Sequence, residues 1–470
     1  MKKVLLVAIL ALALFLRTYR VSDFLGFWFD QGRDAKVIWD IWHSGKLTLI
    51  GPTTGIEGIF LGPFYYYLIT PAYILGGGNP VYPAVFLALL NVIAVYFIYR
   101  LGSEYFNPAT GLLAAFITTL SQQFVSYQRW LSNPNPLPLF AVIALYCLLR
   151  RRWWLVGLSV GLSLQLEAAS AIFFLPAILL IAFIHKKKIP FIAIAFFVLT
   201  LLPQLVFNFR HQNILFNSFK RFLVSERSFQ PSLGAYTKRL NFYYTAFTDK
   251  YYTTNRAGAI FAVSLLAFFL LIRRRLPAVP TTTLVIWWVT PMVFLLFYYG
   301  NHGYVWDYYF TGVYPAFTLL VSAVWIAVAR HLWAGRWLIA VFITGFIFQN
   351  LSYHLTYFRQ ATAGHVTLTP EIQAVDWIYQ DAGSTPFNTD IYVPPVIPHA
   401  YDYLFMWRGK SVQPTQQLVS RLYTLAEPDP GQKQLLDLWM FKQAGLSSIE
   451  KTMIFGPITV QRRVRHGYEQ

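Results

Sequence analysis

The residues best suited to chemistry lie in the stretch GFWFDQGRDAKVIWDIWHSGKL, which holds two carboxylates and an arginine: Asp30, Arg33 and Asp34. A carboxylate can accept a proton from a hydroxyl group, and a guanidinium group can neutralise a phosphate. Apolar residues recur at helical spacing from Asp30 to Trp42, which predicts a helix lying on a surface, with Asp30 as its N-cap. A capping aspartate with a solvated charged face would give the same pattern without any chemistry.

A second set of polar residues lies at or near the ends of apolar segments. Glu167 is the most informative of them, because a carboxylate within or beside a membrane is costly unless it is solvated, paired or used. The tyrosines of the set also suit the aromatic belt of a membrane interface. The set comprises Glu57, Tyr65, Arg129, Asn133, Glu167, Arg210, His211, His302, Asp307 and Tyr308.

Several familiar site motifs are missing from the sequence. It contains no HExxH, CxxC, P-loop, GxGxxG or GxSxG pattern. We therefore expect no cofactor, although the sequence leaves a divalent metal ion open. Cys147 is the single cysteine, so an intrachain disulfide is impossible.

The composition excludes an ordinary soluble enzyme. Of the 470 residues, 56% are hydrophobic and only 12% are charged, against roughly 25% charged in a typical soluble domain. The same figures exclude a disordered chain and a nucleic-acid-binding protein. The net charge of +18 is then best interpreted as a topology signal of a membrane protein.

The hydropathy pattern predicts about eleven membrane spans. The apolar windows lie at 4–16, 82–99, 110–126, 137–149, 154–168, 171–184, 190–207, 259–272, 283–299, 310–329 and 336–353. Basic clusters fall between them, including Lys186 to Lys188 and Arg273 to Arg275, and the positive-inside rule places these in the cytoplasm. All of these basic clusters can lie in the cytoplasm only if the further apolar stretch 59–76 does not span the membrane but lies along its outer interface. The N-terminus is then cytoplasmic and the C-terminal segment extracytoplasmic.

On this topology, acidic residues concentrate on the outer side. All acidic residues of the membrane part except Glu104 lie at or near the outer face, which favours a polar cavity open to the outside. From about residue 358 the composition changes, and this last segment holds 10 of the 20 acidic residues. It predicts a small α+β domain with helices over 370–382 and 432–444 and strands near 388–393 and 451–464.

The order of short motifs along the chain resembles a known family. The motifs are FDQGRDA from Phe29, LGPFYYY from Leu61, WLSNPN from Trp130, LQLE from Leu164, NFRH from Asn208, and YYF from Tyr308 followed by Tyr314-Pro315. Together they resemble the GT-C glycosyltransferases. Within that group they are similar to the bacterial branch of the dolichyl-phosphate-mannose–protein mannosyltransferase family (glycosyltransferase family 39-like), which includes the aminoarabinose transferase of lipid A. The resemblance covers roughly residues 1–350.

The resemblance implies an α-helical polytopic membrane protein of GT-C-like fold, with about 11 transmembrane helices and a small α+β C-terminal exterior domain. Residues 1–357 would form the membrane glycosyltransferase domain, with the acidic motif in outer loop 17–81, and residues 358–470 the exterior domain. Such an enzyme moves a hexose or pentose from a polyprenyl-phosphate donor in the cell membrane to an extracytoplasmic glycan, lipid or protein. A single displacement at the anomeric carbon inverts its configuration.

The resemblance also suggests roles for the candidate residues. Asp30 would be the catalytic base, and Asp34 would position the acceptor or an arginine. Should Glu167 be the base instead, Asp30 is only a cap. The donor phosphate would be bound by Arg33, Arg129 and Arg210. The sugar and acceptor pocket would comprise Glu57, Tyr65, Asn133, Glu167, His211, His302, Asp307 and Tyr308.

Three other interpretations remain open from the sequence. A transporter or flippase for a lipid-linked sugar would also need a membrane-embedded polar site. A non-catalytic membrane scaffold would need no acidic first loop. An O-antigen-type ligase would place its chemistry in a late outer loop, and the loop 208–258 carries Arg210, His211, Arg221, Arg227 and Arg239.

Overall fold

In a computed structural model, the chain is described over residues 2–230, 233–300, 303–360, 364–394, 397–409 and 413–468. The first three quarters of the chain are helical. The helices are α1 Lys2–Thr18, α2 Val21–Phe24, α3 Phe29–Ser44, α4 Phe64–Leu75, α5 Val81–Tyr105, α6 Pro108–Leu120, α7 Gln122–Gln128, α8 Leu137–Leu149, α9 Trp153–Leu166, α10 Ala168–Ala171, α11 Phe174–Ile184, α12 Phe191–Arg210, α13 Ile214–Lys220, α14 Leu233–Thr248, α15 Asn255–Ile272, α16 Ala278–Leu296, α17 Tyr314–His331 and α18 Gly335–Arg359. A π-helical turn spans Arg221–Ser225, and 3-10 turns span Arg273–Arg275 and Asp307–Phe310.

Each predicted apolar window overlaps one or two helices, which agrees with a polytopic membrane fold. Among the described residues, six helices are long and apolar enough to cross a membrane: Val81–Tyr105, Phe191–Arg210, Asn255–Arg275, Ala278–Leu296, Tyr314–His331 and Gly335–Arg359. Four shorter apolar helices are Pro108–Leu120, Leu137–Leu149, Trp153–Leu166 and Ala168–Ile184. The seventeen residues of α1 cover the remaining window.

The stretch predicted to lie along the interface forms α4, which has 12 residues. At 1.5 Å per residue this helix is about 18 Å long, short of the roughly 30 Å hydrocarbon core of a bilayer. Helices α6 and α8, which cover predicted spans, have only 13 residues each, so length does not separate α4 from them and its interfacial position stays a prediction.

Small residues allow neighbouring spans to approach closely. A Cβ atom on Gly157 of α9 would lie 1.9 Å from the carbonyl oxygen of Ala193 in α12. One turn later, a Cβ atom on Gly161 would lie 2.1 Å from the hydroxyl of Thr200. This pair of glycines four residues apart is the small-residue packing typical of membrane helices.

The C-terminal segment contains a four-stranded sheet with helices on both faces. Its elements are α19 Leu368–Ala382, β1 Asn388–Tyr392, α20 His399–Arg408, β2 Arg421–Ala426, α21 Lys433–Leu446, β3 Ser447–Phe455 and β4 Ile458–Arg465. The strand order is β1-β2-β4-β3, with β1 and β2 parallel and the other pairs antiparallel. Helix α20 is the crossover between the two parallel strands.

The two faces of the sheet can be told apart by their hydrogen bonds. On one face, the Tyr423 hydroxyl donates to Asp381 of α19 at 2.7 Å. On the other, the Trp439 indole of α21 donates to Asp390 at 2.9 Å. Asp390 is paired with Thr424, the neighbour of Tyr423, and successive side chains of a strand point to opposite faces.

Some predicted elements differ from the structure. The strand predicted near 451–464 is the hairpin β3–β4, reversed at Gly456, which has a φ of +55°. Strand β2 and helix α20 were not predicted from the sequence. The predicted domain boundary at 357/358 falls in the last turn of α18 and stays a prediction.

Candidate active site

A cavity of about 410 Å³ lies where α3 meets the membrane helices. Its polar lining includes Asp30, Gln31, Arg33, Asp34, Thr53, Thr54, Ser132, Asn133, Glu167, Gln204, Tyr298, Tyr308 and Tyr309. Its apolar lining includes Ile56, Ile59, Phe60, Leu61, Trp130, Leu164, Ile172, Phe173, Phe219, Phe222, Phe229 and Leu295. Six of the predicted site residues are brought together here: Asp30, Arg33, Asp34, Asn133, Glu167 and Tyr308.

The N-cap of helix α3 lies two residues earlier than predicted, and this changes the role of Asp30. The N-cap position is Trp28, whose backbone N–H donates to the side chain of Gln31 at 3.1 Å. Gln31 in turn donates to the carbonyl of Leu131 at 2.9 Å, which ties the start of α3 to the wall of the cavity. Asp30 is thus not the cap but a residue of the first turn, with its side chain 64% exposed.

Arg33 is the centre of the charged cluster. Its Nη1 lies 2.9 Å from Asp30 Oδ1 and donates to the Thr53 hydroxyl at 3.1 Å. Its Nη2 donates to Asp34 Oδ1 at 2.8 Å. The guanidinium group therefore bridges the exposed carboxylate and the buried one, and it is itself only 20% exposed.

Asp34 is buried and is held from two helices. Tyr66 of α4 donates its hydroxyl to Asp34 Oδ1 at 3.0 Å, the same oxygen that Arg33 contacts. Burial raises the pKa of Asp34 to about 6, and the guanidinium of Arg33 and the hydroxyl of Tyr66 oppose the rise. The tyrosine predicted for the pocket was Tyr65, but its buried side chain lies outside the described lining of the cavity.

Glu167, Asn133 and Tyr308 complete the polar wall opposite α3. Glu167 caps α10 by accepting the backbone N–H of Ala169 at 3.1 Å. Asn133 donates to the carbonyl of Leu166 at 2.6 Å, so its side chain is fixed beside Glu167.

Asp307 directly precedes Tyr308 but takes part in a different cluster. It pairs with Lys250 at 2.7 Å and accepts the hydroxyls of Tyr127 and Tyr314. This cluster anchors the 3-10 turn that presents Tyr308 to the cavity, so Asp307 supports the site without lining its described part.

The other predicted phosphate ligands lie away from the described part of the cavity. Arg129 is buried and donates to the carbonyls of Leu16 and Tyr19, both at 2.9 Å, so it caps the C-terminal end of α1. Arg210 is exposed at the end of α12. The predicted roles of both therefore lose their structural support.

Three predicted pocket residues remain. His211 stacks on Phe207, with ring centroids 4.0 Å apart, and lines a separate surface groove. Glu57 has an exposed side chain 3.4 Å from Arg221. His302 lies outside the described residues. Within the described ranges there is no group of three or more His, Cys, Asp or Glu side chains that could hold a metal ion.

Comparisons with known proteins agree with this architecture. Residues 61–207 match the family model described as dolichyl-phosphate-mannose-protein mannosyltransferase. The matched region includes Tyr66, Asn133 and Glu167 and begins after α3. No curated protein matches the sequence.

Solved structures are similar over most of the chain. ArnT from Cupriavidus metallidurans bound to undecaprenyl phosphate has a TM-score of 0.61 at 12% identity, with 97% of each chain covered. Its apo state has a TM-score of 0.62 at 12% identity, covering 98% of this chain and 97% of that one. The Archaeoglobus fulgidus oligosaccharyltransferase in complex with Zn and sulfate has a TM-score of 0.53 at 18% identity, covering 81% of this chain and 56% of that one. These matches confirm the GT-C fold and the resemblance expected from the motifs.

Proposed function

We propose that the protein is a membrane glycosyltransferase that moves a sugar from a polyprenyl-phosphate donor to an extracytoplasmic hydroxyl or amine. The observation that carries the proposal is one cavity that joins an exposed carboxylate, an arginine and a buried carboxylate to an apolar lining. The GT-C fold and the likeness to ArnT, solved with undecaprenyl phosphate, support it.

The lining suits an amphiphilic donor. Apolar side chains such as Phe173, Phe222 and Leu295 come from the membrane part and the π-helical turn. The acidic and basic side chains come from α3, except Glu167 at the start of α10. A polyprenyl chain has no polar group to satisfy and is stabilised by apolar contacts. The hydroxyl groups of the sugar suit the polar wall, which includes Asn133, Glu167 and Tyr308.

We assign the role of base to Asp30. Its exposed carboxylate lines the cavity and can reach an incoming acceptor, while Asp34 is buried behind Arg33. In the reaction the acceptor oxygen or nitrogen attacks the anomeric carbon and loses its proton to Asp30. The bond between that carbon and the phosphate oxygen breaks, and polyprenyl phosphate leaves with the electron pair, so the configuration is inverted.

Arg33 is the group that would meet the charge of the leaving phosphate. It is the only lysine or arginine among the described residues that line the cavity. A guanidinium group can bind phosphate oxygens through two N–H groups at once, and positive charge at this point stabilises the transition state. Asp34 and Tyr66 then serve to hold Arg33 in place.

The test is sugar transfer by the purified protein in lipid nanodiscs, offered a panel of polyprenyl-phosphate sugars and cell-envelope acceptors. Asp30→Asn should reduce transfer by about 100-fold or more, since general base catalysis typically contributes 10² to 10⁴. Asp40→Asn is the matched control, because Asp40 lies on the same helix with its side chain 49% exposed. Donor binding should be retained in both variants.

Other outcomes would change the assignment. Equal transfer by wild type and Asp30→Asn would contradict the role of Asp30 and direct attention to Glu167. An absence of transfer from every donor, together with movement of the lipid-linked sugar across proteoliposomes, would contradict the transferase and indicate a flippase.

A further inference from the structure

Helix α20 of the C-terminal segment touches both helices that build the charged cluster. We propose that α20 is a clamp that fixes α3 against α4, with Tyr403 as a positioning residue for Arg33 and Asp34. The inference rests on the proposed function and assigns the C-terminal segment a part in the same reaction.

The first contact is backbone to backbone at Gly32. A Cβ atom at this position would lie 2.3 Å from both the backbone nitrogen of Ala400 and the carbonyl carbon of His399. Gly32 lies inside α3, directly before Arg33. The backbone at the start of α20 therefore contacts α3 next to Arg33, and no side chain fits between the two helices at Gly32.

The second contact joins α20 to the turn that follows α4. Tyr403 donates its hydroxyl to the carbonyl of Gly78 at 2.6 Å, and the Trp407 indole donates to the carbonyl of Gly77 at 2.7 Å. Gly77 and Gly78 have φ values of +56° and +92°, a conformation that favours glycine. The turn is thus shaped to present its carbonyls to α20.

Tyr403 itself lies between the two helices. Its ring centroid is 6.1 Å from that of Trp39 in α3 and 6.1 Å from that of Tyr73 in α4. The side chain is 1% exposed. One buried residue of the C-terminal segment therefore packs against both helices and is fixed by a hydrogen bond.

Two further contacts align α20 with α3 on either side of Gly32. Lys36 pairs with Asp402 at 3.0 Å. The ring of Phe29, the neighbour of Asp30, lies 4.8 Å from that of His399.

The clamp matters because Asp34 and its hydroxyl donor are on different helices. Asp34 belongs to α3 and Tyr66 to α4, and their hydrogen bond of 3.0 Å depends on the relative position of the two. A shift of about 1 Å in a catalytic group can cost a factor of 10² in rate. Loosening α20 should therefore lower the rate of transfer through Arg33 and Asp34.

The experiment compares two matched pairs of variants in the full chain, assayed for transfer in nanodiscs. Tyr403→Phe should lower kcat about fivefold to tenfold with the KM for donor within about twofold. Tyr392→Phe removes the hydroxyl that binds Asp429 on the α21 side of the sheet, and it should leave kcat unchanged. Gly32→Ala should lower kcat by about 100-fold, whereas Gly445→Ala, which meets nothing within 4 Å, should not.

A structural readout accompanies the kinetics. A carbodiimide should join Lys36 to Asp402 in the wild type, and Gly32→Ala should lose this cross-link. Wild-type rates in Tyr403→Phe and Gly32→Ala, or equal losses within each pair, would overturn the clamp and leave the transferase intact. A wild-type protein that transfers no sugar would instead contradict the proposed function, and the positioning role with it.

Discussion

A single carboxylate oxygen, Asp34 Oδ1, receives hydrogen bonds from both Arg33 and Tyr66. Both donors favour the ionised carboxylate, while burial favours the neutral one, and burial prevails to raise the pKa to about 6. Asp34 therefore changes its charge within the range in which enzymes are assayed. Only the ionised form pairs with Arg33, so the proposed activity should increase as pH rises through about 6.

Removal of the Tyr66 hydroxyl should shift this dependence. Tyr66→Phe deletes a donor to the ionised carboxylate, so the pKa of Asp34 should rise further. The acid limb of the kcat profile should move to higher pH by about one unit. Tyr67→Phe is the control, because the Tyr67 hydroxyl donates to the carbonyl of Thr48 instead. Coincident acid limbs in wild type and Tyr66→Phe would show that Asp34 does not set the profile.

Part of this cluster could be predicted from the sequence. Asp30, Arg33 and Asp34 could be selected because their spacing on a helix places them within reach of one another. Three consecutive tyrosines, however, do not reveal which ring faces α3, so Tyr65 was chosen where Tyr66 makes the contact. The phosphate-binding role of Arg129 stays a prediction, since an arginine that caps a helix looks the same in sequence as one that binds a phosphate.

At the scale of the element, the C-terminal segment contains two buried carboxyl groups near α20, those of Glu371 and Glu427. Tyr401 of α20 donates to Glu427 at 2.7 Å, and Glu371 of α19 is fully buried near Glu427. Burial raises the pKa of Glu427 to about 7. Burial and the nearby Glu427 raise the pKa of Glu371 well above its usual range.

Glu427 should make the C-terminal segment less stable at neutral pH than at acidic pH. The folded state keeps the Glu427 proton that the unfolded chain releases between pH 4.5 and about 7, so the free energy of unfolding falls as pH rises through that window. The loss for Glu427 is at most about 3 kcal/mol. Thermal unfolding at pH 5.5 and 8 should show a smaller difference for Glu427→Gln than for wild type.

The control for this experiment is Glu450→Gln, because Glu450 is a partly exposed member of an ion pair with Arg462. It should keep the wild-type difference between the two pH values. If Glu427→Gln loses as much stability between the two pH values as wild type does, another group is responsible.

The elements could be predicted where one physical signal dominates. Long apolar windows predicted the apolar helices of the described residues, since few other structures bury such a stretch. In the C-terminal segment the signals are shorter. One strand was predicted where the structure has the hairpin β3–β4, although Gly456-Pro457 marks a turn. Helix α20 was not predicted, because its apolar residues face two different neighbours. Its partners α3 and the turn at Gly78 lie more than 300 residues away in sequence.

At the scale of the whole molecule, the basic clusters define an orientation. Lys186 to Lys188 follow α11, and Arg273 to Arg275 end the helix that begins at Asn255. We propose that these clusters face the cytoplasm and that the sheet and α20 lie outside. The cavity then opens toward the side on which the acceptor is found.

Cysteine labelling can test this orientation. In a Cys147→Ala background, Gly445→Cys should react with a membrane-impermeant maleimide in right-side-out vesicles, and Arg274→Cys only in inside-out vesicles. Both positions are exposed, so the side of the membrane on which each residue lies decides whether it reacts. The opposite pattern would reverse the topology and place the cavity on the cytoplasmic side.

The position of α20 as a crossover between β1 and β2 also has a consequence for biosynthesis. Strand β2 is paired on its other edge with β4, Ile458–Arg465, which the ribosome makes after α20. The ribosome must therefore synthesise β4, which follows all the cavity residues, before the sheet that holds α20 can close. A nascent chain that lacks β4 would already contain the cavity and α20, but not the closed sheet that holds α20. If α20 orients α3 as proposed, the order of synthesis links transfer to the completion of β4.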